Sequence, residues 1–227
     1  RHLLCVVLVW LAGCVTTQTP VDPSLAASAH TVKVQIYRAA DGVLSEYTLD
    51  QVQAVLAGTR QALINQGIDV HFEVLPDIRV DEAWEDLYSQ DVLRISGSFR
   101  NDTQQLLRIF ITNKIWSCGS NSYETTVILG CTPVGSPVLV VQGKVNGAAD
   151  NYGTHDAILW LHEMGHSVQL GHAESWRRVM TPAPRPDSTR LERYEVRQYT
   201  HLGERLLPAA LQRHPRPVQW LRPAKTV

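Results

Sequence analysis

The chain has 227 residues, 44% of them hydrophobic and 19% charged, the composition of an ordinary globular protein with enough apolar material for one good core. Lysine and arginine number 21 against 22 aspartate and glutamate, a balance that points to neither a nucleic-acid-binding surface nor an acidic tail. No internal repeat is visible, and one folded domain, acting as a monomer, is expected.

At the start of the chain, Arg1 and His2 precede an apolar run, Leu3 to Ala12, that is too short to span a bilayer comfortably. It reads as a secretion signal. The run ends in Leu11-Ala12-Gly13-Cys14, which resembles the lipobox of bacterial lipoproteins, whose signal peptidase cuts before a lipidated cysteine. That resemblance implies a signal peptide over 1–13 and lipid on Cys14. It further implies a membrane-anchored protein of the cell envelope, on the periplasmic or the outer-membrane or extracellular face. The alternative is an ordinary signal or a short buried segment in which Cys14 is incidental. Residues 14–29 are rich in Thr, Pro, Ser and Ala without periodicity, as a flexible tether is. The folded part is expected to begin near His30.

Residues 32–37 alternate apolar and polar side chains at period two, the pattern of a half-buried strand. Asp41-Gly42 marks a turn. Thr48 then opens a segment with Leu49, Val52, Val55, Leu56, Ala62 and Leu63 at mostly helical spacing, closed by Gly67. Residues 68–75 alternate again and stop at Pro76, which gives strand–helix–strand and, by the right-handed crossover rule, a parallel pair. His71 falls on the polar face of that second strand. Residues 80–104 carry only a short helical hint at 82–88. A third strand is expected at 106–112, and two more at 125–129 and 137–141, one of them an antiparallel edge.

With Cys5 in the signal and Cys14 lipidated, Cys118 and Cys131 remain, and in an oxidising compartment two cysteines are most simply a disulfide. After a Gly- and Asn-rich loop at 146–153, Thr154 is a plausible N-cap for a helix whose first turn holds His155 and Asp156. Further on, Ser188 caps a second helical segment, 191–207, with Glu192 and Glu195 in its early turns. Residues 208–227, with four prolines, read as an irregular tail.

The densest chemistry lies in the first of those helices, in His162-Glu163-Met164-Gly165-His166, with a further histidine at His172. Two histidines four residues apart stand one above the other on a helix face and can meet one zinc ion at about 2.0–2.1 Å. Glu163, roughly 100° round the helix, can address a zinc-bound water instead of the metal, where a general base belongs. An amphipathic helix with surface histidines is the bland alternative. Leu159, Leu161, Met164, Val168 and Leu170 already supply the apolar positions, which leaves the three histidines and the glutamate unexplained by packing. His155 lies two turns from His162 and is left outside the metal sphere.

The stretch from His162 to Met180 resembles the metzincin zinc metallopeptidases, matrixin-like members most, whose motif H-E-x-x-H-x-x-G-x-x-H is followed by a turn bearing a methionine. The likeness covers most of 30–205 and is strong only at 160–182. It implies a metzincin-like zincin fold of α+β class, close to α/β in character. That fold has a mixed, mostly parallel, five-stranded twisted sheet with a backing helix, an active-site helix and a small C-terminal helical part. The catalytic domain would then span 30–207. It implies His172 as third zinc ligand, Met180 packed beneath the site, and an edge strand within 125–141 that aligns a polypeptide substrate. There is one departure, since the family's glycine falls on Gln169 and Gly171 comes two residues later. Either Gln169 turns left-handed at a cost of order 1 kcal/mol, or the helix runs on and breaks at Gly171.

The expected activity is a zinc-dependent metalloendopeptidase in which Glu163 assists a zinc-bound water. Two other readings remain open: a zinc peptidase with Glu192 or Glu195 as third ligand, and a binding lipoprotein that keeps the fold without catalysis.

Overall fold

The computed structural model describes residues 30–39, 48–80, 86–100, 102–143 and 155–206. The expected signal at 1–13, Cys14, the tether, the turn at 41–42, the loop at 146–153, Thr154 and the tail at 208–227 lie outside those residues.

A sheet organises the molecule. β1 (His30–Ala39) runs parallel to β2 (Val70–Val74) on one side and to β5 (Leu106–Thr112) on the other, and β10 (Val138–Gln142) runs parallel to β5. β9 (Gly130–Cys131) closes the far edge antiparallel to β10, with Val140 opposite Cys131 and Val141 opposite Gly130. Every residue of β5, LLRIFIT, is buried, as befits a central strand of a parallel sheet covered on both faces. Alternation divides that strand between two cores. Leu107, Ile109 and Ile111 join the larger one with α1 and α3, and Phe110 joins a smaller one with Val138, Val140 and Cys131.

α1 (Leu49–Ile64) begins where the sequence places it. Thr48 Oγ1 accepts from the Gln51 amide at 3.2 Å while Gln51 Oε1 accepts from the Thr48 amide at 2.8 Å, a reciprocal capping box. Gly67, at φ 78°, turns the chain into β2. α1 backs the sheet and lies against α3 (His155–Ser167), where the Thr59 hydroxyl reaches the Ala157 carbonyl at 3.1 Å.

Four expectations need correction. The sheet has six strands, because after Pro76 interrupts β2 the chain resumes pairing with the far end of β1 as β3 (Ile78–Val80). Of the helix hinted at 82–88, residues 82–85 lie outside the described residues, while Asp86–Leu87 is a short strand, β4, and α2 (Ser89–Ser98) follows, burying Val92 and Ile95. No strand forms at 125–129. The amides of Thr125 and Thr126 both turn back to the Ser122 carbonyl, at 3.0 Å each, which uses them before they can join a sheet. Edge pairing is left to β9, and the short strands β6 (Lys114–Ile115), β7 (Ser117–Cys118) and β8 (Asn121–Ser122) fill the intervening segment. The segment at 191–207 is two helices, α4 (Arg193–Tyr199) and α5 (Leu202–Arg205). Its N-cap is Glu192, whose amide donates to Glu195 Oε2 at 2.7 Å. Ser188 donates its hydroxyl to the Trp176 carbonyl at 2.6 Å and so stays in the loop.

Cys118 and Cys131 form a disulfide, Cα to Cα 5.8 Å, that ties the edge strand β9 to β7. Among the described residues no helix is long and apolar enough to cross a membrane.

Candidate metal centre

Asp156 through Ser167 are all buried, so α3 passes through the interior instead of lying on the surface. Polar side chains on such a helix need partners, and the two motif histidines have them on one nitrogen each. His162 Nδ1 is 2.8 Å from the Val179 carbonyl oxygen, and His166 Nδ1 is 2.9 Å from that of Leu170. A carbonyl can only accept, so each Nδ1 carries the proton and each Nε2 presents a lone pair. Those two Nε2 atoms face each other at 3.1 Å. Two lone pairs so placed repel unless a cation lies between them. Nitrogens bound to one tetrahedral zinc at 2.0–2.1 Å stand about 3.3 Å apart, so the pair fits a zinc ion.

The third histidine depends on how the chain leaves α3. Gln169 adopts φ 70°, the only positive φ of a non-glycine among the described residues. The Gln169 amide donates to His166 O at 3.0 Å and the Leu170 amide to Gly165 O at 2.9 Å, the two bonds of a Schellman motif. Of the two routes open at Gln169, the chain takes the left-handed one at Gln169 itself. The Gly135 amide gives the His166 carbonyl a second donor at 2.8 Å. The turn brings the His172 ring to centroid distances of 5.3 Å from His162 and 4.9 Å from His166. One nitrogen of each ring lies within 4.8 Å of the others. His172 is exposed where His162 and His166 are buried, so the group opens to solvent on its side.

Burial pushes the pKa of His162 well below its ordinary value, reinforced by His166 and opposed by the Val179 carbonyl. Burial likewise lowers His166 to about 4 and lowers His172. Imidazoles held neutral are in the form that binds metal.

Glu163 is buried beside this group. Burial raises its carboxyl pKa to about 8, with the Thr132 hydroxyl pulling the other way, and its Oε2 has no hydrogen-bond partner among the described residues. The carboxyl rests against Gly130 on the edge strand so closely that any Cβ at that position would overlap it. Met180 is fully buried and lies beneath α3, where a Cβ on Gly165 would overlap both its sulfur and the Tyr199 hydroxyl.

Glu192 and Glu195 stand elsewhere. Their carboxylates pair with Arg178, each at 2.8 Å, and neither joins the three histidines. His155 Nε2 is 3.1 Å from the Pro184 carbonyl and His71 is exposed on β2. Gly130, Thr132 and Tyr199 were not singled out from the sequence, nor were the carbonyls of Val179 and Leu170. The carbonyls have no residue signature, and a lone glycine beside Cys131 carried none that could be read.

No protein-family model and no curated protein matches the sequence. Solved structures do match. Mirolysin in complex with a small compound superposes with a TM-score of 0.53 at 11% identity, over 84% of this chain and all of that one. Mature mirolysin of Tannerella forsythia in complex with a cleaved peptide gives 0.50 at 12%, over 83% and 100%. Metalloproteinase-II of Bacteroides fragilis gives 0.50 at 11%, over 77% of this chain, which spans only 56% of that protein's length. At these identities the likeness is one of fold, and the chain has a zincin-like metallopeptidase fold.

Proposed function

We propose that this chain is a zinc-dependent metalloendopeptidase of metzincin, matrixin-like type, with His162, His166 and His172 holding one zinc ion and Glu163 as general base. One observation carries the reading: two buried imidazoles, each with its proton committed to a backbone carbonyl, turn their remaining nitrogens on each other at 3.1 Å. The zincin-like fold supports it, as does the cleaved peptide held by mature mirolysin.

Zinc, when bound, supplies Lewis acidity that lowers the pKa of water and polarises a peptide carbonyl. Glu163 takes the proton of the attacking water on its carboxylate as the carbon–oxygen bond forms, then passes that proton to the leaving amine nitrogen as the carbon–nitrogen bond breaks. The products are a carboxylate and an amine. Gly130 leaves room for the Glu163 carboxyl, and the buried walls of α3 keep other water from it. The outer edge of β9 offers backbone groups on which an extended polypeptide can align as a further strand. Export and lipid anchoring in the cell envelope are part of the same proposal, motivated by the apolar run read as a signal peptide at 1–13 and by the lipobox-like Leu11-Ala12-Gly13-Cys14.

The test is metal analysis of the purified chain together with cleavage of an unstructured casein-like substrate. Stoichiometric zinc, cleavage abolished by a chelator and restored by zinc, and loss of cleavage in Glu163→Gln with zinc retained are expected. Zinc without any Glu163-dependent cleavage would favour a non-catalytic binding protein.

A further inference from the structure

The Tyr199 side chain, on α4 and buried at 1% exposure, has no part in the chemistry above. Its hydroxyl donates to the Leu161 carbonyl at 2.7 Å, which is the oxygen of the peptide unit joining Leu161 to His162. The Tyr199 hydroxyl oxygen also lies 3.6 Å from Met180 Sδ. A hydroxyl has one proton, and the carbonyl, nearer and the better acceptor, takes it, so the sulfur is a packing contact. Met180 in turn follows Val179, whose carbonyl fixes the His162 ring. Tyr199 thus touches the backbone from which His162 projects and the turn that orients its imidazole.

α4 is fastened to that same turn. Arg178 pairs with Glu195 and Glu192 and donates to the Tyr194 hydroxyl at 2.7 Å, and the Val179 amide donates to the Arg190 carbonyl at 3.0 Å. Gly165, one residue before His166, supplies the space in which Met180 Sδ and the Tyr199 hydroxyl meet, since a side chain there would overlap both.

We infer that Tyr199 is a positioning residue for the metal centre, gripping the Leu161–His162 peptide and the Met180 turn together so that His162 Nε2 is held toward the other two imidazoles. The inference rests on the zinc reading proposed above. Groups that orient metal ligands typically change metal affinity by tenfold or more when lost.

The test measures zinc affinity of the full chain by competition with a chromophoric chelator, the visible spectrum of the cobalt-substituted protein, and the melting temperature of chelator-treated protein, for wild type and Tyr199→Phe. The expected result is a zinc affinity about tenfold weaker and an altered cobalt spectrum, with the metal-free melting temperature little changed. Affinity within about twofold of wild type, whatever happens to melting, overturns the inference and leaves the zinc reading intact. A wild-type chain that takes up no zinc overturns both. Should Tyr199→Phe not fold, Gly165→Ala is read the same way, because it displaces the hydroxyl and the sulfur while favouring the helix, and unchanged affinity there also overturns the inference.

Discussion

His162 and Val179, 17 positions apart, are joined by a 2.8 Å hydrogen bond from ring to backbone carbonyl, which makes the orientation of the first motif histidine a property of the turn that carries Met180. His166 draws its orientation from its own helix terminus through Leu170, and His172, exposed, has no such anchor among the described residues. The three histidines are therefore equal as donors and unequal as parts of the fold.

His162→Ala and His172→Ala are expected to weaken zinc binding alike and to differ once the metal is gone. Removing the His162 ring leaves a buried carbonyl without its donor and opens a void, a loss of about 1–3 kcal/mol in metal-free protein. Truncating the exposed His172 falls within about 0.5 kcal/mol. Urea unfolding of the two chelator-treated variants decides it, and equal losses would contradict the asymmetry.

The left-handed Gln169 is a second place where the fold bears a cost. Gln169→Gly keeps both Schellman bonds, which are made by backbone amides, and relieves the Cβ clash of a left-handed residue. A gain of up to about 1 kcal/mol is expected. Gln169→Val, β-branched at the same φ, is expected to lose stability and to weaken zinc binding through His172. If the glycine variant is less stable than wild type, strain at Gln169 is not what limits this turn.

His162, Glu163 and His166 were legible from helix periodicity, because one turn of helix is enough to stack two imidazoles and swing a carboxylate aside. β1, α1 and β2 were legible too, since alternation, a capping box and Pro76 are local signals. What the sequence hid was non-local. β9 is two residues long, and its pairing depends on where Ser122 turns the chain and on the disulfide from Cys118. The strand expected at 125–129, rich in β-branched residues, lost to that turn. Tyr199 is one residue of a segment read as helix, and only Gly165 and Met180 beside it give it a role. The choice at Gln169 was visible as a choice, and only the backbone decided it.

Acid stability reports on another joint of the sheet. Arg38 donates to Asp77 Oδ2 from Nε at 3.1 Å and Nη2 at 2.6 Å, fastening β1 to the segment between β2 and β3. The Arg38 hydrogen bond, aided by the charges of Arg38 and Arg79 and opposed by burial, holds the Asp77 pKa below its ordinary value. With the folded pKa depressed, the unfolded chain binds the proton first as pH falls. The stabilisation is whole above the unfolded carboxylate value near about 4 and is lost as pH drops through the folded value. Asp77→Asn should therefore differ from wild type by a constant amount from about pH 5 to pH 8 and converge on it below about pH 4. Denaturant unfolding of metal-free protein across that range checks this, and a difference as large at low pH as at neutrality would refute it.

Gly130 is where the edge strand and the carboxylate of Glu163 compete for one volume. The strand is paired to β10 on one side and chained through Cys131 to Cys118, so it cannot retreat freely, and a methyl at Gly130 must displace the carboxyl. The three nearest atoms that such a methyl meets all belong to Glu163. Gly130→Ala is expected to keep its zinc while cleavage falls by about a hundredfold, the loss that an ångström of misplacement of a reacting group can cause. The fall should appear in kcat more than in KM, because Glu163 acts on the water and not on substrate binding. Zinc content measured beside steady-state cleavage separates the outcomes. A variant with full activity would mean that Glu163 works from a position other than the one it occupies against the strand, and a variant that loses zinc would mean that β9 supports the histidines as well as the glutamate.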